Sequence, residues 1–216
     1  MVKIPLNLRL KKEGHRKIAL AQDILIGEIY RYFNNAVFHG GTAIWRCYNG
    51  VRFSEDLDFY LPKDLRKVNL FFENLVKLGF IVERKKISEN SIYSTLLFDR
   101  TVVRFEAVFK NINGILKEYE LIDGNYISVY SLSEEDLIKE KVNAYIKRRK
   151  VRDLFDIFFL LRYVEDKKYL KNKLKELIDK YGEPSDKDDL NILILEGIIP
   201  KVEDILTYIK NIVDKN

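Results

Sequence analysis

The chain is nearly free of sulfur, with one cysteine, Cys47, and one methionine among its 216 residues. A single cysteine closes no internal disulfide and has no second thiol with which to build a zinc site, so neither device holds the fold. Proline is scarce at four residues, glutamine is poorer still, and no low-complexity run or internal repeat is visible. No stretch reaches the roughly 18 consecutive apolar residues that a membrane span needs. Met1 to Asn7 lack the apolar core and small-residue cleavage site of a secretory leader. The expectation is a cytoplasmic protein with no membrane partner. Charge of one sign is also in short supply: 38 basic against 33 acidic residues leave +5, a mild excess that favours polyanions without demanding them.

What remains is an ordinary globular composition, 47% hydrophobic and 33% charged, long enough for one sizeable core or two small domains. Periodicity predicts a helix over Arg16 to Tyr32, a short strand at Ala36 to Phe38, a helix from Thr42 to Tyr48 and a strand from Asp56 to Leu61. Beyond Pro62, apolar residues from Leu65 to Leu78 keep helical spacing until Gly79. From Phe80 to Val129 the pattern is a run of strands, turned at Glu89-Asn90, Asp99-Arg100 and Asp123-Gly124. Ser133, with Asp136 three positions on, reads as a helix cap, and helical spacing continues to Lys215 with breaks near Gly182 to Pro184 and at Ile199-Pro200. The expected class is α+β: a mixed sheet with flanking helices over residues 1–130, then a helical domain over 131–216.

The chemistry concentrates in Phe38 to Ile44 and Arg52 to Tyr60. Gly40 and Gly41 stand between a strand and a helix, where a bare backbone comes close to a phosphate and the helix N-terminus favours anions. Alone, a glycine pair more often serves packing. Asp56 and Asp58 carry more weight, because residues i and i+2 of a strand share one face, about 6.5 Å apart. Leu57, Phe59 and Leu61 then take the core side, and two hard carboxylates are displayed on a rigid element. Magnesium uses such ligands and completes its shell with water and substrate phosphates.

Gly40-Gly41-Thr42-Ala43 followed by Ser54, Asp56-Leu57-Asp58-Phe59 resembles the signature of the AbiEii/AbiGii nucleotidyltransferase toxins, within the polymerase-beta-like superfamily. The resemblance resumes at Leu137 to Ala144, which contains Lys141, and at Arg152-Asp153-Leu154-Phe155-Asp156-Ile157, where Phe155 replaces the usual tyrosine. It spans roughly residues 38 to 160. It implies transfer of a nucleoside monophosphate from a nucleoside triphosphate to an acceptor. Asp56 and Asp58 would hold Mg2+, while Gly40, Gly41 and Thr42 would cradle the triphosphate. Lys141 would face the leaving group, with Asp153 and Asp156 orienting it or reaching the nucleotide, and Arg52 and Ser54 would touch phosphate. A third carboxylate on a neighbouring strand would activate the attacking hydroxyl. Glu106 is the candidate, and a plain Arg104–Glu106 surface pair is the alternative.

Members of this group include toxins that act on tRNA and work beside an antitoxin protein, so RNA, and the tRNA 3′ end in particular, is the expected acceptor. The local basic run Lys147, Arg148 and Arg149 is the expected RNA contact, although cations there also suit a helix end. Two other readings stay open: transfer to a protein or small molecule, and a non-catalytic member that binds nucleotide or RNA.

Overall fold

The computed structural model describes residues 4–215; Met1 to Lys3, part of the segment read for a leader, and Asn216 lie outside the described residues. The order of elements is α1 (Leu6–Arg9), α2 (Glu13–Tyr32), β1 (Val37–His39), α3 (Gly40–Cys47), β2 (Leu57–Leu61), α4 (Leu65–Lys77), and strands β3 (Ile81–Ile87), β4 (Ser91–Phe98), β5 (Thr101–Phe109), β6 (Ile115–Glu120) and β7 (Tyr126–Ser131). The helices α5 (Glu134–Arg148), α6 (Val151–Leu160), α7 (Lys171–Asp179), α8 (Leu190–Leu193) and α9 (Val202–Lys215) follow. The expected α+β class, a mixed sheet and then a helical half, is what the structure shows.

The chain divides into two compact units. The first comprises Met1–Asn49 and Ser54–Leu132, the second Gly50–Phe53 and Ser133–Asn216. In the first, seven strands form one sheet in the order β3-β4-β5-β2-β1-β7-β6. β2 runs parallel to β5, β1 parallel to β7, and the remaining pairs are antiparallel. Apolar residues alternate along the central strands, so Leu57, Phe59, Leu61, Val103, Phe105 and Ala107 all face a core completed by Leu25, Ile29, Phe71 and Leu75 from α2 and α4. Phe38 stacks on Phe59 at 4.9 Å, and Phe71 meets Phe105 at 5.2 Å. The opposite face of β4, β5, β2 and β1 therefore carries the polar residues.

Turn chemistry fixes the hairpins. Asp99 and Arg100 both adopt positive φ between the paired residues Phe98 and Thr101, the two-residue geometry that matches strand twist. α3 starts on Gly40 itself rather than at Thr42, because Gly40 at φ +77° turns the chain directly from β1 into the helix.

In the second unit, Ser133 caps α5 by accepting the Asp136 N–H at 3.2 Å. Helix is more interrupted here than the spacing suggested. Residues 194–201 lack regular helix, and Leu195 N–H donates to the Val51 carbonyl at 2.8 Å while Phe53 N–H donates to Leu193 at 3.0 Å. Those bonds tie Gly50–Phe53 to the helical unit. No helix among the described residues is long and apolar enough to cross a membrane.

Candidate active site

On the polar side of the sheet, strand register brings the acids together. Asp58 of β2 lies opposite His39 of β1 on one side and Glu106 of β5 on the other. Neighbouring strands are about 4.8 Å apart, so Asp58 and Glu106 are adjacent carboxylates on one face. Asp56 stands just before β2, and its carboxylate accepts the Arg104 Nε–H at 2.6 Å. Arg104 belongs to the same face of β5, two residues before Glu106. The bond runs from β5 to the residue just ahead of β2, and it raises the Arg104 guanidinium above its ordinary value.

Gly40 is where the first unit is most exacting. A Cβ on Gly40 would stand 2.1 Å from Asp58 Oδ2, and the residue's φ is +77°. The Asp58 carboxylate thus rests against a bare α-carbon at the start of α3. Gly41 and Thr42 are buried in the first turn of that helix. The Thr42 hydroxyl donates to the Asp56 carbonyl at 2.5 Å, so Thr42 positions the acid loop. His39 is stacked on Tyr60, ring centroids 4.2 Å apart.

A supporting network escaped the sequence reading. Gln22, the chain's one glutamine, is fully buried and donates to the carbonyls of Ser54 (3.0 Å) and Glu55 (3.1 Å). Its own oxygen accepts from Arg46 Nη1 at 3.4 Å. Arg46, buried over the Tyr119 ring at 4.4 Å, also donates to the Glu120 carbonyl and pairs with Asp23. Burial pushes the Asp23 carboxyl above its ordinary range, and Arg46 offsets only part of that. Ser54 and Glu55, the two residues ahead of Asp56, are thus held through their backbone. The signal available in sequence was one polar residue, Gln22, in register with Ala19, Leu25, Ile26 and Ile29 on a core-facing helical stripe.

The second unit holds a separate charged cluster. Arg52 is buried and forks onto Asp156, Nε–Oδ1 2.9 Å and Nη2–Oδ2 2.8 Å, with Nη1 on the Phe53 carbonyl. Lys141 Nζ lies 2.7 Å from Asp156 and 3.3 Å from Asp153. Arg148 forks onto Asp153 through two bonds of 2.7 Å. Burial alone would raise the Asp156 carboxyl, yet Arg52 and then Lys141 reverse this and hold it below the ordinary carboxylate value. Asp153 and Asp156 therefore both meet Lys141, and their arginine partners are Arg148 and Arg52. Of the basic run, Lys147 is exposed, Arg148 is committed to Asp153, and Arg149 ends α5 in left-handed backbone with its guanidinium packed over Gly182.

Asp56, Asp58 and Glu106 supply hard oxygen donors on one face. Among the described residues, no three His, Cys, Asp or Glu side chains converge tightly enough to hold an ion unaided. That donor set fits magnesium, which is commonly held by one or two carboxylates and completed by water and substrate phosphates.

Comparison with known proteins points the same way. A family model described as nucleotidyl transferase AbiEii toxin, type IV TA system, matches residues 24–204. An uncharacterized Aquifex aeolicus protein is 26% identical over 158 residues, 71% of this chain and 68% of that protein. In architecture the chain is similar to MenT4, a nucleotidyltransferase toxin of Mycobacterium tuberculosis, at 18% identity over 98% of this chain and 88% of that one, TM-score 0.67. It is also similar to JHP933 of Helicobacter pylori, at 21% identity over 91% and 92% of the two chains, TM-score 0.57. At these identities the structural likeness speaks for the fold.

Proposed function

The chain belongs to the AbiEii nucleotidyltransferase toxin family, and from that membership we propose that it moves a nucleoside monophosphate from a nucleoside triphosphate to an RNA acceptor. The acceptor end is the 3′ terminus of a tRNA, and the protein acts as the toxin of a pair whose antitoxin restrains it. The observation that carries the reading is Asp58, whose carboxylate rests on the bare α-carbon of Gly40 with Glu106 beside it in register. Like charges side by side on a strand pair are unfavourable, which is consistent with a site built for a cation.

Asp56 and Asp58 would hold magnesium there. Bound, the ion would neutralise the triphosphate and polarise the phosphorus under attack. The chain's own groups do the rest. Gly40 and the first turn of α3 present backbone N–H groups to the phosphates. Glu106 takes the proton of the attacking hydroxyl as its oxygen bonds to the α-phosphorus; the bond to the bridging oxygen breaks and pyrophosphate leaves. Arg104 neutralises Asp56 until substrate arrives. Lys141, buried between Asp153 and Asp156, is proposed to have its charge oriented by those two acids.

Incubating the protein with labelled triphosphates, magnesium and total cellular RNA tests this directly. Label should enter RNA with the parent and fall by at least about a hundredfold in Asp58→Ala, the loss associated with removing one preorganised electrostatic contact. Undiminished labelling by both Asp56→Ala and Asp58→Ala would refute the assignment. Label in protein instead of RNA would refute the acceptor.

A further inference from the structure

The sheet face that carries the acids does not stop at Glu106. Register places Lys86, Tyr93, Glu106, Asp58 and His39 in one row across β3, β4, β5, β2 and β1. In the next row Arg84 stands opposite Thr95, and Thr95 opposite Arg104. Tyr93 alternates with buried Ile92 and Ser94, so it lies on the same face as the acids. The Arg84 guanidinium sits over the Tyr93 ring at 5.6 Å. Arg84, Lys86, Ser88, Ser91 and Tyr93 line a shallow depression of about 440 Å³. Three strand spacings of about 4.8 Å put Lys86 about 14 Å from Asp58 at the backbone.

We propose that this strip is the acceptor-binding surface, and that it takes a single-stranded RNA end with phosphates on Arg84 and Lys86 and a base on Tyr93. The inference rests on the transferase reading and deepens it. Displacement at phosphorus places the attacking and leaving oxygens roughly in line. With the triphosphate on the Gly40 side of Asp58, the acceptor must arrive from the Glu106 side, and β4 and β3 lie beyond Glu106 in that direction. Two cations with an aromatic ring between strands are the ordinary equipment for sequence-tolerant single-strand binding: charge for the backbone, a flat face for the bases. The run Lys147 to Arg149 is less suited, because Arg148 is committed to Asp153 and the Arg149 guanidinium lies against Gly182. The competing account is that β3, an edge strand, is charged only to prevent edge-to-edge pairing.

Fluorescence anisotropy with a labelled single-stranded oligouridylate about ten nucleotides long, within the usual site size, decides the matter when titrated with salt. Arg84→Ala with Lys86→Ala should flatten the slope of log affinity against log salt by about 1.4, about 0.7 for each phosphate that the protein no longer neutralises. Tyr93→Ala should weaken binding about five- to a hundredfold while Tyr93→Phe stays near the parent. Triphosphate affinity should be unchanged in all three. The proposal is overturned if the parent does not bind the oligonucleotide, or if the Arg84/Lys86 variant keeps the parent slope. It is equally overturned if that variant loses triphosphate affinity instead, or if the slope resides in a Lys147→Ala, Arg149→Ala variant. Asp58→Ala separates the two layers: it should bind oligonucleotide normally, so retained transfer in that variant sinks the catalytic assignment, whereas weakened binding in the strip variants bears on the strip alone.

Discussion

At the scale of single residues, two independent constraints coincide on Gly40. Its φ of +77° is strained for any residue with a Cβ, and that Cβ would meet Asp58 Oδ2 at 2.1 Å. Left-handed backbone in a non-glycine residue costs of order 1 kcal/mol, which the fold survives. The clash cannot be relieved without moving Asp58, so Gly40→Ala should lower transfer at least about tenfold while shifting the melting temperature by only a few degrees. Unchanged activity in a folded Gly40→Ala protein would show that the Asp58 position is not critical. The glycine pair was legible in sequence because a strand, two glycines and a helix follow one another locally. That Asp58 is the group resting on it was not, since β2 must first pair with β1.

At the scale of elements, the polar residues of α2 and α3 show what the sequence withheld. Alternation along β2 and β5 was legible from Leu57, Phe59 and Leu61 against Val103, Phe105 and Ala107, because the period of two is local. The Gln22 network was not, for it joins α2 to the Ser54-Glu55 backbone and to Arg46 across long stretches of chain. Likewise the bond from Arg104 to Asp56 was not legible, for it joins β5 to the residue ahead of β2 across a long stretch of chain. Gln22→Leu keeps the side-chain bulk but removes the donor to the part-buried Ser54 and Glu55 carbonyls and leaves one buried Arg46 N–H without its acceptor. The buried Arg46 group alone costs about 1–3 kcal/mol when unsatisfied, so the variant should lose at least about 1 kcal/mol in urea unfolding. Residual activity at temperatures where it remains folded should also fall, as the loop carrying Asp56 loosens. Gln22→Leu with parental stability would mean that water replaces those bonds.

At the scale of the whole molecule, the chain leaves the sheet-bearing unit at Gly50, returns at Ser54, and leaves again at Ser133. Gly50–Phe53 is held in the second unit by backbone bonds to Val51 and Phe53 and by the Arg52–Asp156 fork. Any loosening of that anchor acts on the segment leading straight to Asp56. The anchor has a pH dependence whose sign follows from its charges. Asp156 holds its proton less tightly in the fold than its ordinary value of 3.8, because Arg52 and Lys141 outweigh the cost of burial. Its contribution is therefore complete above that ordinary value and is lost as pH falls through the lowered one. Other carboxylates also titrate in acid, so the informative quantity is the gap between the parent and Asp156→Asn. At neutral pH the variant leaves Arg52 and Lys141 short of a buried counter-charge, and breaking such a pair costs about 3–5 kcal/mol. As pH drops below about 4, aspartate in the unfolded chain takes up its proton first, and the gap in urea-unfolding free energy should narrow until pH has fallen through the lowered folded value. A gap that stays constant down to pH about 2 would mean that the fork is held by shape and hydrogen bonding rather than by charge.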